Sequence, residues 1–384
     1  MEVLIVGSGI SGLSCSIWLR KMGFTGTVRV VDSKEFPIRK ACGGGITGKS
    51  HKLLEELGVN YDNYEVFSLQ VNCWNSFVNE FSSSERPILR IVDRMELDKK
   101  LRCLAENNGI QLLDKMRVVS IERTKEHYLV STSDREVFEC DVLVGADGAA
   151  STIRRLSNIQ VNDYFYAARV EMAVKSSLEN TAIFDFGVHK YAYGWLFPKN
   201  ELEANLGVFY RRILPDTKPL NVLSNYIESK VQITPDLSAD RIAFHLMASG
   251  GCSFTKKSLP VILVGEAAGL VEPITGEGIY GALLSAKIAA RSIVQEETPS
   301  HYYRRLSRNS LMKSIKLLQK KQDNVFGNLD KYLSLLGRKA VYRSLINGYI
   351  RGLDIHKIIS RIPLLYLRKG LSARRLDNSG GCEN

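Results

Sequence analysis

The chain has 384 residues, 45% hydrophobic and 24% charged, a composition that excludes a largely disordered protein. Its formal charge is +11, concentrated in residues 301–375, where 18 Lys/Arg face only Asp323, Asp330 and Asp354; the body before it is near neutral. No run reaches the ~18 apolar residues of a membrane span, the opening MEVLIVGSGISG lacks the basic n-region of a signal peptide, and seven scattered cysteines without C-x-x-C argue against a zinc or iron–sulfur site.

Residues 2–6 (EVLIV) predict a buried strand, 10–22 a helix ending at Gly23, and 27–32 a second strand. Together they make a βαβ unit with a right-handed crossover. Helices are expected over 50–57 and 94–107, the second stopping at Asn108-Gly109. Residues 111–146 alternate apolar and polar and end in DVLVGADG, a strand meeting a glycine turn. The β-branched and aromatic stretch 161–210 predicts an antiparallel sheet, with strands near 181–187, 193–197 and 204–210. Residues 260–265 predict a short strand, followed by a glycine-rich loop and a long helix over 276–296. From 301 onward the pattern is helical and basic, with hydrophobics at 355, 358, 359, 362 and 365 and a break at Pro363.

The strongest chemical signal is Gly7-x-Gly9-x-x-Gly12 between the first strand and helix. Gly7 permits the tight turn, Gly9 lets the backbone approach a pyrophosphate, and Gly12 allows close helix packing. The helix start offers free N–H groups to phosphate, and Asp32 ends the next strand where an acid accepts from a ribose hydroxyl. The pattern is that of a dinucleotide site, and the βαβ unit alone leaves FAD and NAD open. Tyr193, Trp195 and Phe197 alternate and so share one strand face, either a ligand wall or an ordinary aromatic core. His189 and His245 have no partners at metal-ligand spacing and are expected to be structural; no metal site is expected. HExxH, GxSxG and P-loop motifs are absent, so hydrolase and NTPase chemistry lacks support.

Two later segments resemble the flavoprotein superfamily of para-hydroxybenzoate-hydroxylase fold. Asp147-Gly148 is similar to its "DG" motif and Gly265-Glu266 to its "GD" motif, with Glu in place of the usual Asp. Arg94 resembles the family's arginine near the FAD phosphates. Three spaced segments narrow the resemblance to the geranylgeranyl reductase family over residues 1–300: KACGGGI (40–46), the Tyr193-to-Pro198 run, and GEAAGLVEPITGEGIYGA (265–282). The resemblance implies FAD contacts from Ser11, Asp32, Cys42, Gly43, Gly45, Arg94, Val118, Glu266, Gly278 and Ile279, with Gly7, Gly9, Gly12, Gly44, Asp147, Gly265 and Gly276 shaping the same site. It makes Tyr193, Trp195, Phe197 and Pro198 the substrate segment.

The expected fold is α/β: a Rossmann-like FAD-binding domain (1–160 with 241–297), an inserted antiparallel β-sheet substrate domain (161–240) and a basic C-terminal helical region (298–384), separable near Ser300. The resemblance implies an FAD-dependent reductase that saturates C=C bonds of isoprenoid chains in prenyl lipids or prenyl diphosphates. Hydride comes from flavin, and Cys42 is the candidate proton source. The rival readings are an FAD aromatic hydroxylase of the same fold and a flavin electron carrier. With one strand-linked GxGxxG, no second nicotinamide domain is evident, and the donor is NAD(P)H or a ferredoxin-like protein. The expected location is cytoplasmic, peripheral on the inner membrane face through the basic region, with no nucleic acid as partner.

Overall fold

EVLIV is short, apolar and β-branched, and it forms a strand buried on both faces, β1 (Glu2–Val6). The structure is a computed structural model that describes residues 1–329 apart from 39, 75, 174–177, 179, 213–217 and 232–241. β1 lies at the centre of a parallel five-stranded sheet in the order β18 (Ile262–Leu263), β12 (Val142–Gly145), β1, β2 (Thr27–Val31), β8 (Gln111–Leu113). A three-stranded antiparallel sheet, β11 (Val137–Cys140), β10 (Tyr128–Thr132), β9 (Val118–Arg123), flanks it.

A seven-stranded sheet forms the second layer, in the order β17 (Ile242–Ser253), β13 (Gln160–Ala173), β16 (Glu203–Arg211), β15 (Ala192–Pro198), β14 (Thr181–Phe186), β5 (Ser68–Cys73), β6 (Ser76–Ser82). It therefore recruits 68–82 and 242–253, stretches that a division by residue range assigns to the cofactor domain. A small sheet of β3 (Gly45–Thr47), β7 (Leu89–Ile91) and β4 (Tyr64–Val66) joins the layers. The fold is the mixed α/β architecture expected, a parallel cofactor sheet with a separate, largely antiparallel one.

The helices are α1 (Ile10–Lys21), α2 (Gly48–Leu57), α3 (Arg94–Asn107), α4 (Thr152–Leu156), α5 (Pro219–Val231), α6 (Ile279–Val294), α7 (Pro299–Arg308) and α8 (Ser310–Gly327). α3 starts where expected because Asp93 caps it, accepting from the N–H groups of Met95 and Glu96. α6 starts at 279 rather than 276, since Gly276 sits at φ +69° and 272–278 is taken up by a turn. The strand expected over 260–265 shortens to 262–263, because Gly265 turns left-handed at φ +60°.

Residues beyond Ser300 pack on the body of the protein. Tyr302 is fully buried, its hydroxyl donates to the Leu263 carbonyl at 2.7 Å, and Leu306, Leu311, Met312 and Ile315 enter the same core as β1 and α1. α7 thus covers the cofactor sheet and α8 runs on from it against β17 of the seven-stranded sheet, so cutting at Ser300 would expose core. The remainder of the basic region, including 355, 358, 359, 362, Pro363 and 365, lies outside the described residues.

Candidate functional site

The turn from β1 into α1 is closed so tightly that its glycines have no room for side chains. A Cβ on Gly7, at φ +110°, would lie 2.4 Å from the Ala146 carbonyl oxygen, and one on Gly12 only 1.9 Å from that of Gly7. Gly9 is the N-cap of α1 and no side chain caps the helix, so its positive end is available to an anion. Asp32 braces this turn as well as ending near it: its Oδ2 accepts from the Ser8 N–H and hydroxyl, both at 2.8 Å. Lys40 stands over the turn, its Nζ 2.8 Å from where a Gly9 Cβ would be.

A second uncapped helix start, Gly278-Ile279 of α6, belongs to the same region. Gly265 packs against Ser11 in the first turn of α1, where an added Cβ would lie 2.9 Å from the serine side chain. Glu266 follows directly, and its Oε1 is 3.7 Å from a Cβ built on Gly278. His245, on β17, places Nε2 3.0 and 2.9 Å from the two oxygens of Glu266. Asp147 borders Gly7 but spends its carboxylate on α4, accepting from the N–H groups of Thr152 at 2.7 Å and Ile153 at 3.1 Å. Burial pushes the Asp147 carboxyl up despite those bonds. Val118 opens β9 and is buried opposite Thr132.

The loop before β3 brings Cys42 to the junction of the layers. The Gly44 N–H points at its sulfur from 3.4 Å, and Asn205 donates to its carbonyl at 3.1 Å. Gly44, at φ +75°, fits against the Val92 carbonyl, which a Cβ would approach to 2.3 Å. Arg94 is half-buried beside Cys42 and Asp98; desolvation opposes its charge, but Asp98 and the cysteine hold the guanidinium further up than usual. Its Nη2 is 3.1 Å from Asp98 Oδ1.

The face of β15 bearing Tyr193, Trp195 and Phe197 lies against this loop, and all three are buried. A Cβ on Gly43 would come within 3.0 Å of both the Trp195 and Phe197 rings, and one on Gly276 within 3.2 Å of the Tyr193 hydroxyl. Neighbouring rings along the strand are 6.3 and 6.2 Å apart, and Phe184, Phe165 and Phe209 complete the wall. Their polar tips are satisfied inside the protein: Trp195 Nε1 donates to Asn205 at 2.9 Å and the Tyr193 hydroxyl to the Thr275 carbonyl. Burial, with Glu272 and Cys42 nearby, pushes the Tyr193 phenol up. Pro198 ends the strand in register with Ala204.

Two acids of the 272–277 turn differ in environment. Glu272 is buried and accepts from the Thr275 N–H at 2.6 Å; burial still drives its carboxyl up, and Glu277 adds to the effect. Glu277 ties this turn to α2, accepting from the Thr47 hydroxyl at 2.6 Å and pairing with Lys49 at 3.0 Å.

Sequence reasoning passed over Lys40, Arg169, Asn205 and Thr275, and it set His245 aside as structural. Lys40 stood inside the 40–46 segment and was open to detection; Arg169, Asn205 and His245 become neighbours only through sheet pairing, and Thr275 through the 272–278 turn. FAD fits the residues present. The glycine turn is a cradle that any Cβ would fill, two uncapped helix starts belong to one region, and Arg94 Nε and Arg169 Nε are buried without a hydrogen-bond partner.

Residues 1–183 match the family model described as an FAD binding domain. An uncharacterized protein of Methanosarcina barkeri is 28% identical over 98% of this chain and 97% of its own length. Menaquinone reductase of Mycobacterium tuberculosis is 26% identical over 75% of each chain. Digeranylgeranylglycerophospholipid reductase 2 of Methanothermobacter thermautotrophicus is likewise 26% identical over 75% of this chain and 76% of its own. Among solved structures, a geranylgeranyl bacteriochlorophyll reductase-like protein of Thermoplasma acidophilum superposes with TM-score 0.72, covering 88% of this chain and 91% of its own at 20% identity.

Proposed function

We propose, from the premise that this chain is an FAD-dependent oxidoreductase of the geranylgeranyl reductase family, that it saturates carbon–carbon double bonds in the isoprenoid chain of a prenyl lipid. Two relatives are named for a digeranylgeranylglycerophospholipid and a menaquinone; both molecules carry an isoprenoid chain, and this shared part supports the substrate class proposed here.

When bound, reduced FAD supplies the hydride for one alkene carbon. Ser11, Asp32, Arg94, Glu266, Gly278 and Ile279 would hold the cofactor, together with the 42–45 loop. An isolated alkene has no carbonyl for the protein to polarise, so positioning and water exclusion carry most of the task. Tyr193, Trp195 and Phe197 perform it by presenting apolar ring faces beside the loop. Cys42 gives its proton to the adjacent carbon, and Arg94 and the Gly44 N–H face the sulfur that would carry the resulting charge.

The observation that carries this reading is the contact of Gly43 with Trp195 and Phe197, which sets an apolar aromatic wall, rather than a polar one, against the predicted flavin loop. A hydroxylase of the same fold would instead need oxygen and an aromatic substrate. The electron donor is NAD(P)H or a ferredoxin-like protein, and the basic region contacts a membrane surface from outside. Among the described residues no helix is long and apolar enough to cross a membrane.

The test supplies chemically reduced enzyme with a geranylgeranyl lipid and analyses the lipid by mass spectrometry. The reading predicts two hydrogens gained per bond reduced. An unchanged lipid alongside oxygen-dependent hydroxylation of an aromatic compound would favour the hydroxylase.

A further inference from the structure

We propose that His245 is a positioning residue that keeps Glu266 from blocking the cofactor's anion site, and so makes the longer acid workable there. The proposal rests on the reading that Glu266 borders bound FAD.

The geometry is specific. Glu266 follows Gly265, which packs on the first turn of α1, and its carboxylate lies beside Gly278, the N-cap of α6. No side chain caps either helix. A carboxylate next to a helix start is drawn to its free N–H groups. The extra methylene and torsion of Glu, relative to Asp, would let it swing onto the start of α6 and occupy the donors that a phosphate or ribityl oxygen needs.

His245 prevents that. It reaches across from β17, in register with Ala167 of β13, and holds both carboxylate oxygens within 3.0 Å of Nε2. An ionised carboxylate only accepts, so in this contact the imidazole donates from Nε2. Aspartate at the same place is one methylene shorter and would depend less on this partner.

The consequence is a dependence of one residue on the identity of another. FAD binding to deflavinated full-length protein, followed by flavin fluorescence, is measured for His245→Ala and His245→Gln with Glu266 present, for Glu266→Asp alone, and for His245→Ala combined with Glu266→Asp. The expected result is an affinity loss of about tenfold for His245→Ala beside Glu266, the worth of one hydrogen bond to a charged group. The same change in the Glu266→Asp background should cost less than about twofold, and Gln, whose amide still donates, should recover most of the loss. Equal losses in both backgrounds would mean that His245 only supports the fold, and no loss with Glu266 present would remove its role; either overturns the proposal. Failure of the unmodified chain to bind FAD would overturn the reading of the site beneath it.

Discussion

Asn205 joins two parts of the candidate site. It is buried, its amide nitrogen donates to the Cys42 carbonyl at 3.1 Å, and its oxygen accepts from Trp195 Nε1 at 2.9 Å. It thereby ties the 42–45 loop to the aromatic wall. Asn205→Ala leaves the half-buried Cys42 carbonyl and the buried Trp195 indole N–H without partners. At about 1–3 kcal/mol for each group so stranded, the loss of stability should be about 2–6 kcal/mol. Trp195→Phe removes the indole donor beforehand, so in that background Asn205→Ala strands only the Cys42 carbonyl and should cost roughly half as much. Urea unfolding of the four proteins closes the cycle, and FAD titration should show the loop loosening as weaker binding by Asn205→Ala. A stability change below about 0.5 kcal/mol, or the same cost in both backgrounds, would refute the claim that Asn205 bridges loop and wall.

Cys42→Ala should retain FAD while alkene reduction falls by about 10²–10⁴, the usual contribution of a positioned general acid; full turnover would remove Cys42 as proton source. Gly12→Ala should abolish FAD binding and destabilise the chain, because its Cβ would lie 1.9 Å from the Gly7 carbonyl oxygen; an intact holoprotein would contradict the cradle. Burial raises Glu171, but Lys199, at 2.8 Å, and Arg169 outweigh it and hold its carboxyl below the ordinary 4.5. Its pairing therefore stabilises the fold fully above that value and is lost as pH falls through the depressed one. The stability difference between the parent and Glu171→Gln should shrink in acid, and a difference constant from pH 7 to about 3 would refute the assignment. A chain ended at Leu329 keeps α7 and α8 in place, and it should co-sediment with anionic liposomes less than the full chain; equal binding would dismiss the membrane role of the basic region.

What the sequence revealed was local. The glycine spacing, Asp32 and the capped start of α3 are short-range signals, and each marked its element closely. The start of α6 was misplaced by three residues because a left-handed glycine at 276 looks the same as a helical one in a string of letters. The strands at 64–91 and at 242–253 escaped notice, since β5 pairs with β14 more than a hundred residues away and β17 with β13 about eighty away. The partnerships of Asn205 and His245 depend on that pairing. The basic charge of 301–329 concealed a second face: Tyr302, Leu306 and Ile315 belong to the cofactor core. A charge count sees the solvated side of a helix and not the buried stripe opposite it.

The most direct test is anaerobic. The enzyme-bound flavin is reduced, mixed with a geranylgeranyl lipid or with its fully saturated counterpart, and followed by absorbance. Reoxidation by the unsaturated lipid alone, in proportion to the double bonds lost, is the result predicted for an isoprenoid reductase. Flavin that stays reduced with both lipids, and reoxidises only when oxygen is admitted, would contradict it.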